Sequence, residues 1–297
     1  MLTIGTRGSD LALMQTGWVA GQLRRLGVDT RIEIIRTRGD DVQHLSFDKI
    51  EGKGFFTKEI EDALLNAKVD LAVHSLKDLP TDSPPGLAIA ALPQREDPRD
   101  CLLIRRESYD QAGEKLPLLE GASIGTSAVR RKAQVAFLRP DLCSIDLRGN
   151  VPTRVERLRE GRYDAILLAQ AGLTRLGLDL RDFVAAPLSP ELFIPAPAQG
   201  VLGLQVRAED HVTRSAVARL DRPEIVRTVS AERELLALLD GGCHLPLGAY
   251  ATSKVEGIRL LVFFRSSEDP SEARRLELCG ADPIELAQRA QQELVGG

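Results

Sequence analysis

Ser123-Ile124-Gly125-Thr126-Ser127-Ala128-Val129-Arg130-Arg131 reads as a short strand over Ser123–Gly125, two small hydroxyl residues, and a helix carrying a basic pair. The helix is predicted over Ser127–Arg139, because Pro140 cannot continue it. The same plan stands at the N-terminus, where a strand over Leu2–Thr6 breaks in Gly5-Thr6-Arg7-Gly8-Ser9. A helix over Leu11–Leu26 follows there, with Leu11, Met14, Trp18, Val19 and Leu23 close to a 3.6-residue period. Asp146-Leu147-Arg148-Gly149-Asn150-Val151-Pro152-Thr153-Arg154 is a third case, and its helix over Pro152–Glu160 has the proline in the first turn, where the missing N–H is harmless.

Working outward, further strands are expected at Arg31–Arg36, Leu71–His74, Leu87–Ala91, Cys101–Ile104, Ser144–Leu147, Ala165–Leu168 and Leu202–Val206, with a helix at Thr57–Asn66. Strand–helix alternation of this kind implies α/β domains with mainly parallel sheets. Proline- and charge-rich stretches at 93–100 and 195–200 punctuate the series. After about Arg214 the character changes to a helix (Pro223–Leu239), strands at Gly248–Thr252 and Arg259–Arg265, and a last helix (Pro283–Leu294), a small α+β unit.

The 297 residues carry 39 basic and 43 acidic side chains, a net charge of −4, so no global field draws the chain to nucleic acid. No apolar run approaches the ~20 residues that span a bilayer. The N-terminus lacks a basic region followed by an apolar one, which argues against a signal peptide. Cys101, Cys143, Cys243 and Cys279 lie far apart with no metal-ligand spacing. A cytoplasmic protein with reduced thiols and no metal is expected.

In open α/β sheets, ligands bind beyond the carboxyl ends of the strands, where helix N-termini and arginine forks suit anions. The recurrence of basic residues at three such points predicts an anion-binding cleft; the alternative for any one of them is an ordinary solvated charge. Val73-His74-Ser75-Leu76-Lys77-Asp78-Leu79-Pro80 places imidazole, hydroxyl, ammonium and carboxylate within five residues of a strand end. Asp78 there either stabilises a cation and moves protons or is a turn aspartate paired with Lys77. His74 reads as structural. Cys243, in Gly241-Gly242-Cys243-His244-Leu245-Pro246, lies in a kinked loop that frees its thiol to react, or is incidental to that loop.

The chain resembles the porphobilinogen deaminase (hydroxymethylbilane synthase) family over nearly its whole length. The likeness rests on Thr6-Arg7-x-Ser9, Thr37-Arg38-Gly39-Asp40, Gly52-Lys53-Gly54-Phe55-Phe56, the His74–Pro80 run and Arg95-Glu96-Asp97-Pro98-Arg99-Asp100. It continues, in the family's order, through Gly125–Arg131, Leu147–Val151, Ala171-Gly172-Leu173-x-Arg175-Leu176-Gly177 and Gly241-Gly242-Cys243-x-x-Pro246. Each motif alone is weak; the ordered set is specific.

The resemblance implies two hinged, doubly wound α/β domains like type II periplasmic binding proteins, plus a small α+β C-terminal domain. The boundaries it implies are residues 1–95 with 198–216, 100–194 and 219–297. It implies a dipyrromethane cofactor on Cys243 through a thioether, onto which four porphobilinogen molecules are joined head to tail with release of ammonia. Asp78 matches the catalytic carboxylate. Cofactor contacts fall to Lys53, Ser75, Lys77, Asp78, Thr126, Ser127, Arg130, Arg131, Arg148 and Gly149, and substrate contacts to Arg7, Ser9, Phe56, Arg148, Arg154, Arg175 and Gln199. A monomer whose partner is the small-molecule substrate, without nucleic acid or membrane, follows from the same likeness. Gly8 and Ala128 depart from the family's usual glutamine and serine, and the likeness is weaker beyond Pro246. Two rivals stand beside it. A non-catalytic two-domain anion receptor explains the arginines but not the Gly-Gly-Cys loop. A phosphate-transfer enzyme lacks its Gly-x-x-x-x-Gly-Lys-[Ser/Thr] segment.

Overall fold

A computed structural model of the chain describes residues 1–37, 57–240, 245–267 and 269–296. Two compact units divide it: 1–96 with 200–226, and 97–199 with 227–297. Lys53, Phe56 and Cys243 lie outside the described residues.

The first unit is built from β1 (Leu2–Thr6), α1 (Asp10–Arg25), β2 (Thr30–Ile34), α2 (Lys58–Leu65), β3 (Leu71–Ser75), a 3₁₀ turn at Leu76–Asp78 and β4 (Leu87–Ala91). The chain returns to it with β10 (Leu202–Arg207) and α6 (His211–Ala218). The sheet order is β2-β1-β3-β10-β4. β1 runs parallel to both neighbours, and β10 is antiparallel to β3 and β4. Ser9 starts α1 by accepting the Ala12 N–H, with Asp10 in the first turn and Arg24 and Arg25 in the last, matching the helix dipole. Val19, Ala20 and Leu23 on its inner face close over Ile4, Leu71, Val73, Leu204 and Val206.

The second unit repeats the plan with β5 (Asp100–Arg105), β6 (Ser123–Gly125), α3 (Val129–Leu138), β7 (Cys143–Ile145), α4 (Val151–Arg159), β8 (Ala165–Ala169), α5 (Gln170–Leu176) and β9 (Phe183–Pro187). Its order is β7-β6-β8-β5-β9. In both sheets the first strand of a parallel trio lies between the second and third, and an antiparallel strand from a chain crossing separates that trio from the edge. That strand order, shared by both sheets, fits the expected pair of doubly wound α/β domains. Gly125, at the end of β6, is required by space: a Cβ there would lie 2.9 Å from the Tyr163 ring and 3.0 Å from Ile166.

The same unit holds α7 (Pro223–Leu238) from Arg227 onward, with β11 (Leu247–Lys254), β12 (Gly257–Arg265), β13 (Ala273–Gly280) and α8 (Pro283–Val295). The strands form an antiparallel sheet, β11-β12-β13, whose apolar face packs on α7 and α8 through Ala231, Leu235, Leu260, Val262, Leu286 and Ala290.

The expected strands and long helices are present, most with ends shifted by a residue or two. Among the described residues, two strands and two α-helices go unsignalled in the sequence. β9 is an edge strand ending at Pro187, and β13 mixes charged and apolar residues along an edge. The seven-residue α5 and eight-residue α6 are too short to show a period of their own.

Candidate active site

In the first unit, the predicted residues gather at the carboxyl ends of β1 and β3. Four of the five residues of β3 are buried, and the chain then turns through Leu76–Asp78. Leu76 anchors the turn: its side chain is fully buried and its N–H donates to the Val201 carbonyl at 2.9 Å. Lys77 is half-buried and Asp78 is exposed, so the strand end presents a carboxylate to solvent on a fixed base. Ser75 is held by Gln15 of α1, whose Nε2 donates to its Oγ at 2.9 Å. Arg7 follows β1 directly, and Ser9 serves as the α1 cap.

Beneath that turn lies a buried polar chain. His74 Nε2 is 3.1 Å from Gln205 Oε1, and Gln205 Nε2 donates to Glu61 Oε1 at 3.1 Å. The second contact fixes the Gln205 amide, so its oxygen faces His74 and the imidazole Nε2 carries the hydrogen. Burial pushes the His74 pKa down to about 4, partly offset by the Gln205 hydrogen bond. The ring is therefore neutral at pH 7, in agreement with its structural reading from the sequence.

In the second unit, the predicted residues follow the parallel strands β6, β7 and β8. Thr126 is buried, and Ser127 exchanges hydrogen bonds with Leu147, accepting from its N–H and donating to its carbonyl, both at 3.1 Å. That pair ties the α3 entry to the segment before Arg148. Gly149 adopts φ +101°, a conformation open chiefly to glycine, and its carbonyl accepts from Arg154 Nε at 2.7 Å. Arg157 donates to the Arg148 carbonyl at 2.8 Å. Asn150 caps α4 by accepting the Thr153 N–H. Lys132, donating to Asp146 at 2.6 Å, holds that carboxyl below the usual carboxylate range. Arg175 sits in the last turn of α5, after β8.

Arg130 and Arg131 are brought together on Asp100. Arg130 Nη1 donates to Asp100 Oδ2 at 2.7 Å and to the Ile194 carbonyl at 2.8 Å. Arg131 Nη2 donates to Asp100 Oδ1 at 2.7 Å and its Nη1 to the Leu167 carbonyl at 2.8 Å. Gln199 joins them, its Nε2 donating to the Pro98 carbonyl at 2.8 Å and to Asp100 Oδ1 at 3.2 Å. All four side chains are buried. The trio of ions carries two positive charges and one negative. Burial pulls the Arg130 pKa down and Asp100 raises it. The sequence offers no sign that Asp100 is the counter-ion, because the pairing spans about thirty residues and depends on β5 lying beside β8.

Residues of these types, hydroxyl, guanidinium and an exposed carboxylate at the ends of parallel strands, define a two-unit α/β protein whose donor set fits a carboxylate-bearing ligand. Residues 2–215 match the family described as porphobilinogen deaminase, dipyromethane cofactor binding domain, and residues 226–296 match its C-terminal domain. The chain is 40% identical over 296 residues to a protein named porphobilinogen deaminase from Oceanobacillus iheyensis, covering 99% of this chain and 94% of that one. It is 41% identical over 288 residues to the one from Trichlorobacter lovleyi (96% and 90% covered), and 46% identical over 265 to that from Roseiflexus castenholzii (88% and 84%). Among solved structures, the substrate-binding protein of an amino acid ABC transporter is 15% identical with a TM-score of 0.41, covering 74% of this chain and 90% of that one. The chain belongs to the porphobilinogen deaminase family. It is a transferase of tetrapyrrole biosynthesis, and its cofactor is dipyrromethane.

Proposed function

We propose that this enzyme condenses four porphobilinogen molecules head to tail into hydroxymethylbilane, releasing ammonia, on a dipyrromethane primer thioether-linked to Cys243. The observation that carries the reading is Asp78: an exposed carboxylate on an anchored turn, in a chain that matches both domains of the family. The primer supplies the terminal pyrrole to which each unit is joined. Asp78 stabilises positive charge at pyrrole nitrogen and passes the protons that deamination and ring deprotonation require. At ~4 Å and an effective dielectric of ~20, such an attraction is worth about 4 kcal/mol before desolvation.

Each pyrrole brings an acetate and a propionate, and the donor set suits them. Arg148, Arg154 and Arg175, with Arg7 and Ser9, bind substrate carboxylates; Phe56 and Gln199 complete that set. Lys53, Ser75, Lys77, Thr126, Ser127 and Gly149 hold the primer with Arg148. Arg130 and Arg131 lend the primer site their charge, while their forks are also engaged by Asp100, Ile194 and Leu167. A division into residues 1–95 with 198–216, 100–194 and 219–297 is supported by three separate sheets, each with its own apolar cluster. We read the protein as a cytoplasmic monomer; among the described residues no helix is long and apolar enough to cross a membrane.

Intact-mass measurement tests this. Protein made in haem-synthesising cells should exceed the chain mass by two pyrrole units, and Cys243→Ser should remove the increment. Bare chain mass in the unmodified protein would sink the reading.

A further inference from the structure

Glu232 of α7 is fully buried, and each of its carboxylate oxygens receives a main-chain N–H at 2.7 Å: Ala198 on Oε2 and Ala251 of β11 on Oε1. Ala198 is held at φ +59°, a left-handed conformation that an L side chain adopts only under constraint. The segment before it, Ile194–Pro197, is gripped from two sides. On one side, Gln134 of α3 exchanges both hydrogen bonds with the Ile194 main chain, at 2.7 and 2.9 Å, and Arg130 donates to the same carbonyl. On the other, Ala249 of β11 donates to the Pro195 carbonyl at 3.0 Å. A Cβ on Gly248 would lie 2.8 Å from the Ile194 carbonyl oxygen, so β11 and this segment touch backbone to backbone. The segment then enters Gln199 and the Asp100 cluster.

We infer that Glu232 is a positioning residue: it clamps the strained Ala198 crossover to β11, and so registers the two elements flanking Cys243 against the Arg130–Arg131–Asp100 cluster. α7 leads into the connection that holds Cys243, and β11 leads out of it. One carboxylate therefore bonds the segment that touches the basic cluster and the strand after the thiol, from the helix before it. This rests on the proposed attachment at Cys243. The clamp needs two acceptors: a Glu232→Gln amide offers one oxygen and one NH₂, leaving a buried N–H facing a donor. Ala198→Gly removes the steric reason for the constraint, because glycine takes positive φ at little cost.

Glu232→Gln, Glu232→Asp, Ala198→Gly and Ala198→Gly/Glu232→Gln proteins, expressed as full chains, test the clamp by intact mass, turnover of porphobilinogen, and hydrogen–deuterium exchange of peptides spanning 194–199 and 247–253. Glu232→Gln is expected to lower turnover or primer occupancy about tenfold, the factor carried by about 1.4 kcal/mol. Exchange in both peptides should quicken together. Ala198→Gly should stay near the parent, and the double variant should recover part of the loss. Should Glu232→Gln fail to fold, Glu232→Asp, a methylene shorter, carries the same comparison. Unchanged exchange and turnover in the Glu232 variants overturns the clamp, as does an equal loss with alanine or glycine at 198. A parent protein of bare chain mass overturns the Cys243 reading itself; coupled exchange at 198 and 251 then shows the clamp without its proposed purpose.

Discussion

The Asp100 carboxylate lies 2.7 Å from Arg131 Nη2, and both side chains are buried. Because Arg130 closes on the other oxygen, Asp100 is the anion between two buried cations. Removing one partner from such a set leaves uncompensated charge in a medium that cannot solvate it. Asp100→Asn is expected to cost about 3–5 kcal/mol of stability, measured as a fall in the urea midpoint. A midpoint within experimental error of the parent would remove Asp100 from this role.

Asp78 is exposed on a turn whose fold depends on Leu76, so its loss should leave the structure standing. Asp78→Asn is expected to keep the primer mass while turnover falls by about 10²-fold or more, the usual scale for deleting an electrostatic contact to a transition state. Near-normal ammonia release from that variant would take the catalytic role away from Asp78.

Arg148→Leu is expected to impair primer assembly or raise KM for porphobilinogen, because one guanidinium fewer meets the carboxylates at the end of β7. Intact mass and steady-state kinetics read the two effects separately. Unchanged values for both would count against its assignment.

His74 carries a pH prediction. Its folded pKa of about 4 lies below the ordinary value of 6.5, so between those limits the unfolded chain binds more protons. Stability is therefore full above about pH 6.5 and declines as the pH falls toward 4, by an amount on the order of 3 kcal/mol. Urea titrations across that window should show the decline, and His74→Gln should flatten it. The same slope in both proteins would assign the acid sensitivity elsewhere.

Thiol labelling separates the cysteines. Cys101 is buried and its pKa is pushed up to about 12, chiefly by burial, whereas Cys143 and Cys279 are exposed. Iodoacetamide on the native protein should modify Cys143 and Cys279 only, with Cys101 reacting after unfolding. Cys243 should stay unlabelled in both conditions if the thioether is present. Peptide mapping by mass spectrometry reads all four sites.

Much of this protein follows from local sequence. The Ser123–Arg131 plan, its repeats at Gly5–Ser9 and Asp146–Arg154, and the Pro140 and Pro152 signals depend on hydrophobic period and turn chemistry, which act within a few residues. So do the α/β class and the order of its strands along the chain, whereas Asp78 and Cys243 are marked by the likeness of their ordered motifs to the family. Nothing local could pair Arg130 with Asp100, His74 with Gln205, or Glu232 with both Ala198 and Ala251. Those contacts join residues from 19 to 131 positions apart. They exist because folding excludes water, and a buried charge or N–H must then find whichever partner the sheet order has brought beside it. The residues proposed to carry the chemistry are thus legible in the sequence; the contacts that hold their surroundings in place are decided by the tertiary structure.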